Sequence, residues 1–362
     1  MDYDVAVIGA GIVGLCIADE LSRYKIRIAC VEKEGAVAQG ASGNNSGVIH
    51  SGINLKPESM KARFCVQGNR MMYGLCEKLD VPCKRGGTLV AASSDDEVKV
   101  LEELKRRADM NGVENVRFVD EAEIKNLEPH VRGIRGLFSP SGGITLPKIL
   151  CKALADDAEK NGVRFYFNSK VSDIEQGEKF RLKVGKDAIN SVIVVNSAGL
   201  YADDVAAMAG YTKYRIQPWL GEYYIINKEL INSMVYPAPQ FGAAGLGIHL
   251  TRSLEGHVLV GPNATKMENK ETKFRSPPDD FYKAVSAFIP DVRIDDLKYG
   301  YSGIRAKLAG AHSVLDADFV IEEYPDDLIH LMGIESPGLT SAPALATHVV
   351  EMIGRKMDLR LK

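Results

Sequence analysis

Apolar and polar positions along the chain follow two periods, and the switches between them predict its elements. A β-branched run over residues 3–8 reads as a strand and stops at Gly9-Ala10-Gly11-Ile12-Val13-Gly14; residues 15–24 then take the helical period and residues 26–31 return to strand, making a βαβ unit. Residues 35–52 are too rich in Gly, Ser and Asn for a regular element and too long for a simple connection, which favours a functional loop. A helix over 57–79, a strand over 86–92 and a solvated surface helix over 95–110 follow, and the polar stretch 121–129 is assigned to no element. A helix over 146–160 leads through Asn161-Gly162 into a strand over 163–167, a hairpin-like pair at 170–174 and 180–184, and an apolar strand over 191–196. Ser197-Ala198-Gly199 opens a helix running to 208. Short strands at 223–226, 247–250 and 257–260 then change the character from βα to all-β, which marks a second domain. Residues 266–280 read as a linker or exposed loop, and 328–352 return to strand, Gly-rich turn and helix.

A chain of 362 residues suggests two domains at about 100–200 residues each. With 45 Lys+Arg against 48 Asp+Glu the formal net charge is -3, so there is no global basic field and no nucleic-acid partner is expected. The cysteines Cys16, Cys30, Cys65, Cys76, Cys83 and Cys151 show no CxxC spacing, and Cys16 and Cys30 fall in apolar periodic segments, which suggests reduced thiols and a cytoplasmic protein. The apolar stretch 5–18 lacks a basic lead and is broken by the glycine turn, so it is not read as a signal core. No apolar window reaches the length of a spanning helix, while peripheral membrane contact stays open.

The glycine turn carries chemistry. In a strand-to-helix turn Gly9 permits the sharp bend, Gly11 lets the backbone and Ile12 approach a pyrophosphate, and Gly14 allows the helix to pack closely, with the helix N-terminus supplying positive dipole. Glu32 ends the second strand, where a carboxylate accepts hydrogen bonds from ribose hydroxyls. These residues indicate a dinucleotide and leave FAD and NAD open. The turn Gly333-Ile334-Glu335-Ser336-Pro337-Gly338-Leu339-Thr340 lies between a strand and a helix, and its N–H groups suit the pyrimidine edge of a flavin; the plainer reading is an ordinary helix start. His50 is held in a small-residue loop just after the nucleotide-binding unit. His130, His257, His312, His330 and His348 show no metal-ligand spacing, and no HExxH, GxSxG or Walker pattern occurs, so no metal is expected.

Ala41-Ser42-Gly43-Asn44-Asn45-Ser46-Gly47-Val48-Ile49-His50-Ser51-Gly52-Ile53, with Lys56-Pro57-Glu58-Ser59-Met60-Lys61-Ala62 and Cys65-Val66-Gln67-Gly68 after it, resembles the L-2-hydroxyglutarate dehydrogenase/oxidase family. That family lies within the FAD-dependent oxidoreductases that include D-amino acid oxidase and glycerol-3-phosphate oxidase. The resemblance continues through Tyr236-Pro237-Ala238-Pro239, Gly245-Leu246-Gly247-Ile248-His249-Leu250-Thr251, Gly261-Pro262-Asn263-Ala264 and Gly303-Ile304-Arg305 to the 333–340 turn. There are two departures: the stretch between Asn263 and Gly303 is shorter than in the longer members, and Gly143-Ile144-Thr145 stands where they read Gly-Ile-Val-Asp.

The resemblance implies an α/β fold, a discontinuous Rossmann-like FAD-binding domain (1–85, 140–212 and 300–362) with a second, mixed β-sheet substrate domain (86–139 and 213–299). It implies non-covalent FAD, with pyrophosphate on Gly9 to Gly14, ribose on Glu32, adenine near Val171, and the ring between the Ser42 to Val48 loop, with Ser46 and Gly47, and the Gly338 to Thr340 turn, with Leu339; Ala41, Gly199, Ile334 and Glu335 complete the cofactor set. His50 is the expected base and Arg305 the carboxylate clamp, with Ser336 and His249 as further substrate contacts. Lys61, Arg63, Arg252 and Lys266 are weaker candidates for a second anion contact. The implied reaction is oxidation of a small anionic 2-hydroxy acid, first L-2-hydroxyglutarate, by hydride transfer to flavin, with the electron acceptor open between oxygen, quinone and a carrier protein. Glycerol 3-phosphate oxidation, a nicotinamide dehydrogenase and a non-catalytic flavin-binding protein are the alternatives.

Overall fold

The computed structural model describes residues 2–239, 247–271, 274–309 and 317–362. His312, Gly245 and Leu246 lie outside the described residues.

Five parallel strands form the centre of the first sheet, in the order Arg164–Tyr166, Ile28–Val31, Asp2–Ile8, Asp187–Asn196, Leu328–Met332. Antiparallel strands extend it: Phe180–Val184 and Val171–Glu175 beyond Asp187–Asn196, and Val320–Glu323 beside Leu328–Met332. Because side chains alternate along a strand, Val5 and Val7 enter one apolar cluster while Ala6 and Ile8 enter another on the opposite face. The first cluster takes the helices Ile12–Leu21, Pro147–Lys160 and Gly338–Gly354; each fully buried Leu or Ile there contributes about 1.5–3 kcal/mol. This is the expected α/β architecture.

The second, nine-stranded sheet is mixed. Its longest pair, Arg215–Ile226 and Lys298–Ala309, runs antiparallel along nearly the full length of both strands. Residues 300–309, expected to begin the return to the cofactor-binding part, therefore belong by pairing to the second sheet, and the chain crosses back only after Ala309. Ile216 of one strand and Ala306 and Leu308 of the other pack in one apolar cluster with Ala202 and Ala206. The polar stretch 121–129 contains a helix, Glu121–Leu127; Asp120 caps it by accepting the Glu123 N–H at 2.8 Å, and Ile124 anchors it in the core. Among the described residues no helix is long and apolar enough to cross a membrane.

A small third sheet, Val48–Ile49, Gly143–Thr145 and Cys83–Arg85, joins the Gly-rich loop to the body of the protein. Beside it the helix Met60–Lys78 crosses Gly338–Gly354 closely: a Cβ on Gly68 would lie 2.0 Å from the Thr340 carbonyl oxygen. Its N-terminus is closed by Ser59, whose hydroxyl accepts from the Ala62 N–H, and by the Asp318 carboxylate, which accepts from the N–H groups of Met60 and Lys61 at 2.6 and 2.8 Å.

Gly68→Ala forces the two helices apart, because the obstructing atoms, the Thr340 carbonyl and the Ser341 Cα, are backbone. A loss of roughly 1–3 kcal/mol is expected, read as a lower melting temperature; an unchanged melting temperature would show that the crossing relaxes freely.

Candidate functional site

A cavity of about 1640 Å³ is lined by residues of both large sheets, the Gly-rich loop and the 333–340 turn. At one end the first strand stops at Gly9, whose φ of +104° turns the chain into the helix Ile12–Leu21. A Cβ on Gly14 would meet the Gly9 carbonyl oxygen at 2.0 Å, so the helix packs onto the turn only without one. A Cβ on Gly11 would meet only Ser42, its Oγ at 3.0 Å, and otherwise enters the cavity. Ser42 Oγ accepts the Ile12 N–H at 2.9 Å and so ties the Gly-rich loop to the helix start. Glu32 straps the turn: one carboxylate oxygen accepts the Ala10 N–H at 2.8 Å, the other the Glu34 N–H at 2.9 Å.

His50 follows the strand Val48–Ile49, which pairs with Gly143–Thr145. Gly143-Ile144-Thr145 thereby supports the loop. A Cβ on Gly143 would lie 2.3 Å from the Tyr73 hydroxyl, and Thr145 donates to the Pro82 carbonyl at 3.0 Å. The His50 backbone is held at both ends: its N–H donates to Thr340 Oγ1 at 2.9 Å, and its carbonyl accepts from Asn69 Nδ2 at 3.0 Å. Its Nε2 lies 3.3 Å from Ser336 Oγ, so the loop and the turn meet at the imidazole. Burial holds the imidazole well below its usual range, at about 4, and the ring is neutral at ordinary pH.

Arg305 pairs with Trp219 across the strands, and its guanidinium lies over Gly221, where a Cβ would be 2.8 Å away. Both terminal nitrogens donate to the Asn263 carbonyl at 3.0 Å. Asn263 is itself fixed by Glu222: its Oδ1 accepts the Glu222 N–H at 2.8 Å and its Nδ2 donates to the Glu222 carboxylate at 2.9 Å. Tyr223 and Tyr301 stack with ring centroids 4.8 Å apart, and the Tyr301 hydroxyl donates to the Asn45 carbonyl at 2.9 Å, linking the second sheet to the loop. His249 stacks on Tyr236, and its Nδ1 meets the Gly247 carbonyl at 3.0 Å. Burial, with His50 and Arg305 adding to it, lowers the His249 pKa to about 3.

The cavity thus brings together Gly9, Gly11, Ile12, Glu32, Ala41, Ser42, Ser46, Val48, His50, Gly199, His249, Arg305, Ile334, Glu335, Ser336, Gly338 and Leu339. Gly14, Gly47 and Thr340 stand behind that lining as supports; a Cβ on Gly47 would lie 2.3 Å from the Thr145 carbonyl oxygen. Val171 does not reach it: the residue is buried in an outer strand of the first sheet. Glu335 lines the cavity, but its N–H donates to the Gly333 carbonyl and its carboxylate accepts from Lys61 Nζ and pairs with Lys307. Of the weaker basic candidates only Lys61 lines the cavity; Arg252 pairs with Glu229 and Arg63 lies against the Phe64 ring. Asn263, Glu222, Tyr223, Tyr301 and Lys307 were not singled out. Their positions follow from strand register, and the one hint in the sequence was Asn263 within Gly261-Pro262-Asn263-Ala264.

The glycine cradle open at Gly11, the acidic strand end and the start of Gly338–Gly354, which no side chain caps, fit an extended flavin dinucleotide. Comparison with known proteins gives the same cofactor. The family described as FAD dependent oxidoreductase matches residues 4–352. A glycerol 3-phosphate dehydrogenase of Caloramator mitchellensis is 35% identical over 362 residues, covering 97% of this chain and 74% of that protein. An L-2-hydroxyglutarate dehydrogenase of Indibacter alkaliphilus is 32% identical over 394 residues, covering 97% of this chain and 98% of that protein. The solved structure of dithionite-reduced L-alpha-glycerophosphate oxidase from Mycoplasma pneumoniae with FAD bound superposes with a TM-score of 0.92 at 29% identity, over 100% of this chain and 97% of that one.

Gly11→Val places branched carbons in the cradle and against Ser42. The variant is expected to purify folded but without FAD, measured as the ratio of flavin to protein absorbance; stoichiometric flavin would move the pyrophosphate elsewhere.

Proposed function

The chain belongs to the family of FAD dependent oxidoreductases, and from that premise we propose that it oxidises the secondary alcohol of L-2-hydroxyglutarate, or of a closely similar 2-hydroxy acid, to the 2-oxo acid. The observation that carries this reading is one cavity holding the glycine cradle, a neutral imidazole and a guanidinium. Gly9, Gly11, Ile12 and Glu32 would hold the dinucleotide portion of FAD, and the 41–48 loop with the Gly338 to Thr340 helix start would hold its ring. FAD, when bound, supplies the hydride acceptor at N5.

The chain's own residues supply the rest. Arg305 uses two of its five N–H donors on the Asn263 carbonyl, which fixes the plane of the guanidinium for a carboxylate beside the carbinol. His50 Nε2, neutral and one hydrogen-bond length from Ser336 Oγ, accepts the hydroxyl proton as the carbinol C–H leaves with both electrons of its bond. The C=O double bond forms from the freed O–H pair, and the proton stays on the imidazole until water takes it. His249 lines the same cavity and stays neutral, adding no charge to it. A second reading, oxidation of glycerol 3-phosphate, is favoured by the Caloramator and Mycoplasma relatives, which carry that substrate in their names. It uses the same base and puts phosphate in place of carboxylate on Arg305.

Anaerobic bleaching of the holoenzyme decides between them. L-2-Hydroxyglutarate is expected to bleach the flavin faster than its D enantiomer, because one hand alone aims the carbinol hydrogen correctly while its carboxylate stays on Arg305. Bleaching by glycerol 3-phosphate and not by L-2-hydroxyglutarate would overturn the substrate assignment.

His50→Ala is expected to lose roughly 10²-fold or more in the bleaching rate while keeping FAD. The pH profile follows from burial. A base whose proton leaves near 4 is already neutral above that value, so the second-order rate constant rises through an acid limb near pH 4 and not across the 6 to 7 that an ordinary histidine would give. Stopped-flow pH jumps measure this; a limb centred on the ordinary histidine value would show an imidazole open to water.

A further inference from the structure

Next to the reacting centre the cavity carries a charge cluster that the mechanism above does not use. Lys61, on the first turn of Met60–Lys78, puts its Nζ 2.9 Å from Glu335 Oε1, and Lys307, on Lys298–Ala309, puts its Nζ 3.4 Å from the same oxygen. The side chains are 15%, 8% and 8% exposed for Lys61, Glu335 and Lys307, and all three line the cavity. Two ammonium groups share one carboxylate, so the cluster is one positive charge in excess, with Arg305 a second beside it. Taking such charge out of water costs several kcal/mol unless a partner repays it. The strain shows on Lys307: burial depresses its pKa, Glu335 works against this, and Lys61 and Arg305 add to it. Burial alone would push Glu335 up, but Lys61 and Lys307 hold it down as a carboxylate. Trp219, whose ring lies 5.8 Å from Lys307 Nζ, has a buried Nε1–H with no hydrogen-bond partner among the described residues.

We propose that Lys61 and Lys307, held together by Glu335, form a second anion subsite that takes the distal carboxylate of a dicarboxylic 2-hydroxy acid while Arg305 takes the carboxylate beside the carbinol. The inference rests on the proposed 2-hydroxy-acid oxidation and adds the reason for a dianion. Spacing supports it. Arg305 and Lys307 are alternate residues of one strand and share a face, with Cα atoms about 6.7 Å apart. The terminal carbons of an extended five-carbon diacid are roughly 5 Å apart, from four C–C bonds of about 1.5 Å. Glu335 also precedes Ser336, whose hydroxyl meets His50 Nε2, so the subsite begins one residue from the proton acceptor. Each ammonium has three donors, and one shared carboxylate oxygen leaves the others for a ligand.

Non-reacting diacids test the subsite apart from the chemistry. Bound flavin of the wild-type holoenzyme is titrated with butyrate and with malonate, succinate, glutarate and adipate, the spectral perturbation giving each affinity. Glutarate is expected to bind at least about tenfold tighter than butyrate, the scale of one charge-assisted contact, with the optimum at five carbons. Lys307→Met and Lys61→Met are each expected to lower glutarate affinity about tenfold and leave butyrate unchanged, and Lys307→Arg to restore the preference. Glu335→Gln, which removes the counter-charge, is expected to tighten glutarate, whereas a merely structural ion cluster would not. Equal binding of butyrate and glutarate by the wild type overturns the subsite even if every variant fails to fold. Wild-type glutarate preference without any bleaching by L-2-hydroxyglutarate would leave the subsite standing and sink the substrate reading.

Discussion

The hydroxyl of Thr340 is where the two ends of the chain become one site. It accepts the His50 N–H at 2.9 Å and donates to the Val48 carbonyl at 3.3 Å, and it is fully buried. An unpaired polar group at such a position costs about 1–3 kcal/mol, so the loop and the C-terminal helix hold each other in one arrangement. Everything near His50 inherits that constraint. The imidazole meets Ser336 because Ser336 lies in the turn that begins the same helix, and the helix comes this close because Gly68 carries no side chain.

The second sheet contributes a charge, and it spends buried polar groups on aiming it. Glu222 is wholly buried, and its carboxylate accepts from Asn263 Nδ2 and the Ser276 N–H. That leaves the Asn263 carbonyl pointing at Arg305. A long flexible side chain would otherwise have many rotamers to lose on binding. Tyr301 then carries the alignment across to the loop through the Asn45 carbonyl, so guanidinium and imidazole come to one cavity from different sheets without touching.

What was legible in the sequence is what short-range rules determine. The Gly9 to Gly14 turn, Glu32 and the flanking strands are one contiguous βαβ unit, and His50 stood out because an imidazole in a run of Gly, Ser and Asn has little packing to explain it. The Arg305 anchor was not legible, because Asn263 lies 42 residues away and meets it only through strand register. Pairing also decided where the chain leaves the second sheet: Lys298–Ala309 has no clean alternation, and its partner Arg215–Ile226 alone reveals it. The helix Glu121–Leu127 escaped because a single buried residue, Ile124, gives too short a period to read. Burial of His50 escaped for the same reason as its consequence: the ordinary histidine value belongs to a ring in water.

In the proposed oxidation a base held near 4 has to take a proton from an alcohol, and an anionic substrate would narrow that gap. In the free protein burial alone opposes a proton on the imidazole. In the proposed reaction a carboxylate held by Arg305 would bring negative charge into the cavity that His50 also lines, which would favour the protonated imidazole. On that reading part of the basicity that burial removes would return when an anion occupies the site. An alcohol of the same shape without the carboxylate would leave His50 a weak base and the Arg305 guanidinium uncompensated, so in the proposed reaction selection for an anionic substrate would lie in the proton-transfer step as well as in binding.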